Sequence, residues 1–155
     1  SLPPAVPFVQ GDMRDAALMD RVMQEHAVQA VLHFAALSLV GESMQQPLPY
    51  FSNNVQGMQV LLEAMLRNGV RHIVFSSSAA VYGEPDALPI PEDAPLRPGN
   101  PYGESKRMME AMMRWAAAAH DLRYVSLRYF NVAGAHADGN GQQKEKATFK
   151  LPEQI

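Results

Sequence analysis

Tyr102 and Lys106 are the residues whose types and spacing most directly suggest chemistry. They stand four positions apart, so in a helix beginning after Pro101 a phenol and an ammonium share one face. A nearby cation and the positive end of a helix macrodipole both stabilise a phenolate. The pair therefore predicts a general base at Tyr102, although the same spacing also arises from an exposed aromatic beside a solvated lysine.

A serine cluster, Ser76 to Ser78, directly follows an apolar run and could supply hydroxyl groups to a ligand. The plainer alternative is a serine-rich turn with no ligand. The position of the cluster favours a role in ligand binding. Ligands of parallel α/β sheets bind beyond the carboxyl ends of the strands, where these serines are expected to lie.

The elements that must position these side chains follow from hydrophobic periodicity. Apolar runs predict strands at residues 6–9, 29–35, 71–76 and 124–128. Helical spacing predicts helices at residues 15–27, 49–68 and 102–120, with Gly69 as a stop and the proline-rich residues 84–101 as a loop. Continuous apolar strands between helices predict a doubly wound parallel α/β sheet covered on both faces.

Composition excludes several classes of function. The formal net charge of -3 offers no basic face to nucleic acid or to an anionic membrane. The chain has no cysteine and its histidines are not at metal-ligand spacings, so we expect no metal site. No run of about 18 apolar residues is present, and we expect a soluble, cytoplasmic protein.

Three motifs together indicate a family: Phe75-Ser-Ser-Ser-Ala-Ala-Val-Tyr-Gly83, Pro101-Tyr-Gly-Glu-Ser-Lys106 and Arg128-Tyr-Phe-Asn131. They resemble the extended short-chain dehydrogenases/reductases, and within them the UDP-glucose 4-epimerases. Gly11-Asp12, His33-Phe-Ala-Ala36 and Val40-Gly-Glu-Ser43 agree with that resemblance, which runs from about Phe8 to Ala135. It implies a Rossmann-like NAD-binding domain and a nucleotide-sugar substrate.

The resemblance also implies a mechanism for interconverting UDP-glucose and UDP-galactose. Tyr102 would take the proton of the sugar 4-hydroxyl while the C4 hydride passes to NAD, the 4-keto sugar would rotate, and the hydride would return to its other face. Lys106 would bind the nicotinamide ribose and support the phenolate. Ser78 would bind the reacting hydroxyl and relay its proton.

Carried over residue by residue, the resemblance assigns the remaining contacts. The expected cofactor residues are Asp12, Met13, Phe34, Ala35, Ala36, Asn53, Ser76, Tyr102, Lys106 and Phe130. The expected substrate residues are Ser38, Ser78, Tyr102 and Asn131. Asn53 could equally be a polar residue that starts a helix, and His33 is better explained as part of an apolar strand. The methionines are expected to fill the core.

The sequence departs from the family pattern in two ways. Ser38 stands where the family pattern has a lysine, and no glycine-rich cofactor loop is present, so we expect that an opening βαβ unit of about 30 residues or more is missing. We therefore expect a fragment without that unit and without the substrate cap: a partial cofactor domain at residues 1–135 and a polar, mobile tail at residues 136–155. Alone, the chain should bind NAD weakly or not at all and show no turnover.

Two alternatives remain open. A related UDP-glucuronate or UDP-xylose 4-epimerase would share the same motifs, whereas a dehydratase would carry an acidic pair where this chain has Ser78-Ala79-Ala80. A non-catalytic fragment could instead associate with a second copy through its sheet edge. The resemblance also implies a homodimer through the helices at residues 49–68 and 102–120.

Overall fold

The computed structural model describes residues 6–131, and the elements below belong to that part of the chain. The first half contains α1 (Ala16–Glu25), β1 (Ala30–His33), α2 (Val40–Gln45), α3 (Pro47–Tyr50), a π-helical turn (Phe51–Gln56) and α4 (Gly57–Arg67). The second half contains β2 (His72–Ser78), a 3₁₀ turn (Ala79–Val81), α5 (Pro101–His120) and β3 (Arg123–Tyr129). None of these helices has the length and apolar character needed to cross a membrane.

The three strands form a parallel sheet in the order β1-β2-β3. Leu32 pairs with Val74, which in turn pairs with Val125, so the carboxyl ends of all three strands meet at one edge. Each crossover between neighbouring strands contains a helix, as parallel pairing requires. The predicted α/β class with a parallel, Rossmann-like sheet is confirmed.

The core lies between one face of this sheet and the helices. Ile73 and Phe75 of β2 are buried there by side chains of α4 and α5. Four methionines are completely buried in this layer, as expected of residues that fill the core: Met58, Met65, Met109 and Met113. On the other face, Leu32 is 66% and Val125 is 52% exposed. Within residues 6–131 the helices therefore cover one face, where the sequence predicted two.

The predicted strand at residues 6–9 is wrong. Residues 6–12 have no regular structure, and Phe8 is 72% exposed. A strand needs a neighbour to take up its backbone N–H and C=O groups. The three described strands pair only with one another, so this segment has no partner among the described residues.

The other predicted elements form with small changes in their bounds. The helix predicted at residues 49–68 begins at Pro47 and is interrupted by the π-helical turn. It stops at Gly69, whose φ of 71° lets the next amide, of Val70, return to the carbonyl of Met65. Residues 84–100 form the predicted loop, whereas the expected tail at residues 136–155 lies outside the described part of the chain.

Candidate active site

The first turn of α5 is set by local sequence. The Asn100 side chain accepts a hydrogen bond from the Gly103 amide at 2.8 Å, and Pro101 occupies the first helical position. Gly103 packs so tightly that a β-carbon there would lie 2.5 Å from the Ala80 carbonyl oxygen. The turn that carries Tyr102 is thereby held against the 3₁₀ turn that follows Ser78.

Lys106 lies one helical turn further along and is only 2% exposed. Its Nζ donates to the Ser76 carbonyl at 2.7 Å and lies 5.9 Å from the centroid of the Tyr102 ring. The ammonium also stands 4.8 Å from the Phe75 ring centroid, which is a cation–π contact. Burial lowers the pKa of Lys106 to about 8. Phenol and ammonium thus lie close together at the end of β2.

The three serines of the cluster make different contacts, one through its backbone and two through their side chains. Ser76 offers its carbonyl to Lys106, and the Ser78 hydroxyl accepts the Ala80 amide at 3.2 Å. The Ser77 hydroxyl points to the helical face and donates to Glu110 at 2.6 Å.

The ends of β2 and β3 lie side by side. Ser78 is the last residue of β2 and pairs with Tyr129 of β3, which precedes the exposed Phe130 and Asn131. The residues predicted at the ends of β2 and β3 are therefore brought to one edge.

The loop after β1 reaches the same edge. Phe34, Ala35 and Ser38 are exposed, and Ala36 is half-buried. The fold holds this loop through Asn54, whose side chain bonds to both backbone groups of Leu37. The predicted Asn53 is half-buried and donates to Asn54 at 3.0 Å.

Asp12 and Met13 lie before α1, apart from the residues at the ends of the three strands. Asp12 accepts three hydrogen bonds from the Arg14 guanidinium, which together with a bond from the Arg14 amide lower the pKa of Asp12 to about 2. Arg14 also donates to Ser52 at 3.1 Å, which brings Asp12 near the residue that precedes Asn53. Met13 packs against Gly57 at the start of α4 and against the core.

Sequence reasoning missed a buried polar network beside the site. Glu110 of α5 accepts hydrogen bonds from Ser77 and, at 2.7 and 3.0 Å, from Arg128. Arg128 also donates to the Tyr82 hydroxyl at 2.8 Å and to the Glu92 carbonyl at 3.0 Å. These bonds fasten the loop at residues 84–100 to β3 and α5. The available signal was Glu110 itself, a charged residue four positions after Lys106 on an otherwise buried stripe.

His33 behaves as an apolar strand residue, as expected. It is 3% exposed, and its ring packs edge-on against Phe75 with centroids 5.5 Å apart. Neither ring nitrogen has a hydrogen-bond partner among the described residues. Burial, with a smaller effect of the Lys106 charge, lowers the pKa of His33 to about 4. The imidazole is therefore neutral at ordinary pH.

Two further features of the described residues bear on chemistry. No three acidic, histidine or cysteine side chains come together as a metal site within residues 6–131. A cavity of about 420 Å³ lies between α5 and β3, with Arg107, Arg114 and Tyr124 in its wall. None of the predicted site residues lines it, so it is distinct from the Tyr102–Lys106 edge.

Comparison with known proteins agrees with this geometry. The profile of the NAD dependent epimerase/dehydratase family matches residues 1–155. The chain belongs to this family. Members of the epimerase/dehydratase family with closely similar sequences are named UDP-glucose 4-epimerase; that of Streptococcus mutans serotype c is 55% identical over 151 residues, 96% of this chain and 45% of that protein.

Solved structures of the family are equally similar. UDP-glucose 4-epimerase from Brucella ovis in complex with NAD has a TM-score of 0.83 and 47% identity, covering 86% of this chain and 41% of that one. The enzyme from Bifidobacterium longum in complex with NAD+ and UDP has a TM-score of 0.80 and 47% identity, covering 84% of this chain and 39% of that one. The chain thus spans less than half the length of these relatives.

Proposed function

We propose that this chain supplies the catalytic helix of an NAD-dependent enzyme that interconverts UDP-glucose and UDP-galactose. The observation that carries the proposal is the buried Lys106 ammonium, bonded to the end of β2 and 5.9 Å from the Tyr102 ring centroid. A phenol with a cation beside it, at the carboxyl edge of a parallel sheet, suits proton transfer to a bound sugar hydroxyl. The similarity to enzymes named UDP-glucose 4-epimerase supports the choice of substrate.

The residues at this edge fit a dinucleotide. An ammonium has three N–H donors, and the Ser76 carbonyl accepts one from Lys106, which leaves donors for ribose hydroxyls. Phe34 and Phe130 are 67% and 59% exposed at the strand ends and offer apolar surface.

We propose Asp12 and Met13 as adenine contacts, and we also propose the cofactor contacts already predicted for Ala35, Ala36 and Asn53. When bound, NAD would accept and return the hydride at the sugar C4.

The chain's own residues would perform the proton chemistry. The Lys106 charge would stabilise the Tyr102 phenolate, whose oxygen would then take the proton of the sugar 4-hydroxyl and become a neutral phenol. Ser78 would bind the same hydroxyl, and Ser38 and Asn131 would contact the nucleotide sugar. Because the pKa of Lys106 lies at about 8, its charge declines above that pH. We expect activity to fall through the same range.

We also propose a cytoplasmic homodimer through the helical run at residues 49–68 and α5. Trp115 of α5 is 69% exposed and supports an interface there. Sedimentation at increasing concentration tests the dimer, with Trp115→Glu expected to favour the monomer. A wild-type chain that stays monomeric at high concentration would contradict it.

The function is tested in a chimera, in which residues 1–155 replace the matching segment of the Streptococcus mutans enzyme. We expect epimerisation of UDP-galactose, and a loss of at least about 100-fold in kcat for Tyr102→Phe. Tyr124→Phe on β3 is the matched control and should leave the rate unchanged. A folded chimera that binds NAD but has no turnover, or one in which Tyr102→Phe is fully active, would contradict the proposal. NAD titration of the 155-residue chain tests the expectation that it binds weakly alone.

A further inference from the structure

Asn54 lies in the π-helical turn and is completely buried. Its side-chain amide pairs with the backbone of Leu37 in both directions. The Leu37 amide donates to Oδ1 at 2.9 Å, and Nδ2 donates to the Leu37 carbonyl at 3.0 Å. Leu37 belongs to the loop at residues 34–39, so this loop is pinned by a residue that lies 17 positions away.

The same amide reaches the catalytic helix. Nδ2 of Asn54 also donates to the Ser105 hydroxyl at 3.0 Å, and that hydroxyl donates to the Tyr102 carbonyl at 2.7 Å. Ser105 is 0% exposed, so neither group can exchange its partner for water. A buried chain of hydrogen bonds is costly to break, because each broken link leaves a polar atom unpaired. These hydrogen bonds connect Leu37 through Asn54 and Ser105 to Tyr102.

A second anchor fixes the other end of the loop. The Tyr50 hydroxyl accepts the Leu39 amide at 3.1 Å and donates to the Leu39 carbonyl at 2.8 Å. Tyr50 and Asn54 belong to one continuous helical run, and the π-helical turn that begins between them is a rare element often found at functional sites. One helical run therefore holds the loop at two points and contacts α5 at a third.

We propose that Asn54, acting through Ser105, is a positioning residue that fixes the loop at residues 34–39 in register with the turn that carries Tyr102. The inference rests on the proposed function, in which that loop contacts the cofactor and Tyr102 reacts with the sugar. Reacting groups held on separate segments lose rate steeply when their relative position drifts by about 1 Å. Asn54 joins those segments directly.

The test uses the 155-residue chain without cofactor, so its result is independent of whether the chain is an epimerase. Hydrogen exchange reports on the loop, and ¹⁹F NMR of chain labelled with 3-fluorotyrosine reports on Tyr102. Asn54→Ala should speed exchange of the Leu37 amide about tenfold or more, leave the Val74 amide unchanged, and move the Tyr102 resonance. Ser105→Ala cuts only the second link, so it should move that resonance and leave Leu37 protected.

Two controls separate positioning from general loosening. Ser52→Ala lies in the same π-helical turn without contact to the loop and should change neither signal. Leu61→Ala removes a core side chain and should lower the melting temperature without selective loss at Leu37. Unchanged Leu37 exchange in Asn54→Ala, equal acceleration at Val74, or an unmoved Tyr102 resonance in Ser105→Ala would each overturn the proposal. Failure of the proposed function would instead appear as an inactive chimera.

Discussion

The two ends of the described part of the chain each hold an ion pair, and the two pairs differ in how far they are buried. Between α5 and β3, the side chains of Glu110 and Arg128 are only 10% and 21% exposed and join at 2.7 Å. Ahead of α1, Asp12 and Arg14 form a pair of similar length, but their side chains are 51% and 40% exposed. The first pair is surrounded by packed elements, whereas the second stands beside a segment with no regular structure.

The difference shows how much of this fold depends on neighbours in space. Two strands supply hydrogen-bond partners to Glu110 of α5, so its charge can be buried without an unpaired oxygen. Around residues 6–12 no described strand is available for pairing, and the backbone has no regular structure. Within residues 6–131, the buried pair lies where strands pair, and the exposed pair lies beside a segment that pairs with no described strand.

The largest effect is expected from breaking the buried pair. Arg128→Met leaves the Glu110 carboxylate without its cation and should lower the free energy of unfolding by about 3–5 kcal/mol. Urea denaturation measures the change. Arg97→Met removes an exposed partner of Asp86, with side chains 69% and 82% exposed, and should cost less than about 1 kcal/mol. Equal losses would show that burial does not distinguish the pairs.

A smaller effect is expected where α5 meets the 3₁₀ turn. Gly103→Ala places a β-carbon against the Ala80 carbonyl and should cost about 1–3 kcal/mol, since the helix must shift. Gly41→Ala in α2 is the matched control, because its β-carbon would meet no atom within 4 Å. It should stabilise the chain by about 0.5–1 kcal/mol through helix propensity. Thermal melting compares the two, and a neutral Gly103→Ala would contradict the tight packing.

His33, which is buried in β1 against Phe75, adds a pH dependence to the stability of the fold. Its pKa is about 4 in the folded chain, against 6.5 for an ordinary histidine, so the unfolded chain takes up a proton first as pH falls. The stability present above pH 6.5 should therefore decrease towards pH 4, by at most about 1.4 kcal/mol per pH unit. His33→Phe removes this contribution and should flatten the difference in unfolding free energy between pH 6.5 and 4. Parallel pH profiles of both proteins would contradict it.

The smallest effect belongs to the exposed pair. Arg14 lowers the pKa of Asp12 to about 2, so its contribution is present above the ordinary value of 3.8 and is lost as pH falls through 2. Solvent screens this pair, and the stability change should be close to the limit of detection. The sharper readout is an NMR titration, in which Arg14→Met should return the pKa of Asp12 towards 3.8. An unchanged titration would contradict the contact.

Local signals in the sequence predicted what local forces determine. The helix predicted to begin after Pro101 forms as α5, and its Tyr102–Lys106 spacing places both groups on one face, as found. Gly69 ends its helix for the backbone reason expected. By contrast, the run at residues 6–9 is as apolar as a strand but does not form one. Its composition cannot reveal that no described strand is available to pair with it.

The candidate site was predictable where a side chain acts alone, and less so where it acts through others. Asn53 and Asn54 look alike in sequence, yet only Asn54 is completely buried and bonds to Leu37 and Ser105. The contacts of Glu110 with Ser77 and Arg128 likewise join residues 33 and 18 positions apart. Such pairings depend on the geometry of the crossovers between strands, and hydrophobic periodicity carries no information about that geometry. The roles proposed for the predicted site residues remain predictions.

The register of the sheet has a consequence for how the chain reaches this structure. Residue 30 pairs with residue 72, and residue 72 pairs with residue 123, so each pair of strands must close a long loop before it can form. Loop closure over such distances costs conformational entropy before any contact repays it. We expect the helices to form within about microseconds and the parallel pairing to follow more slowly. Refolding should therefore show helical circular dichroism well before the amides of β2 become protected.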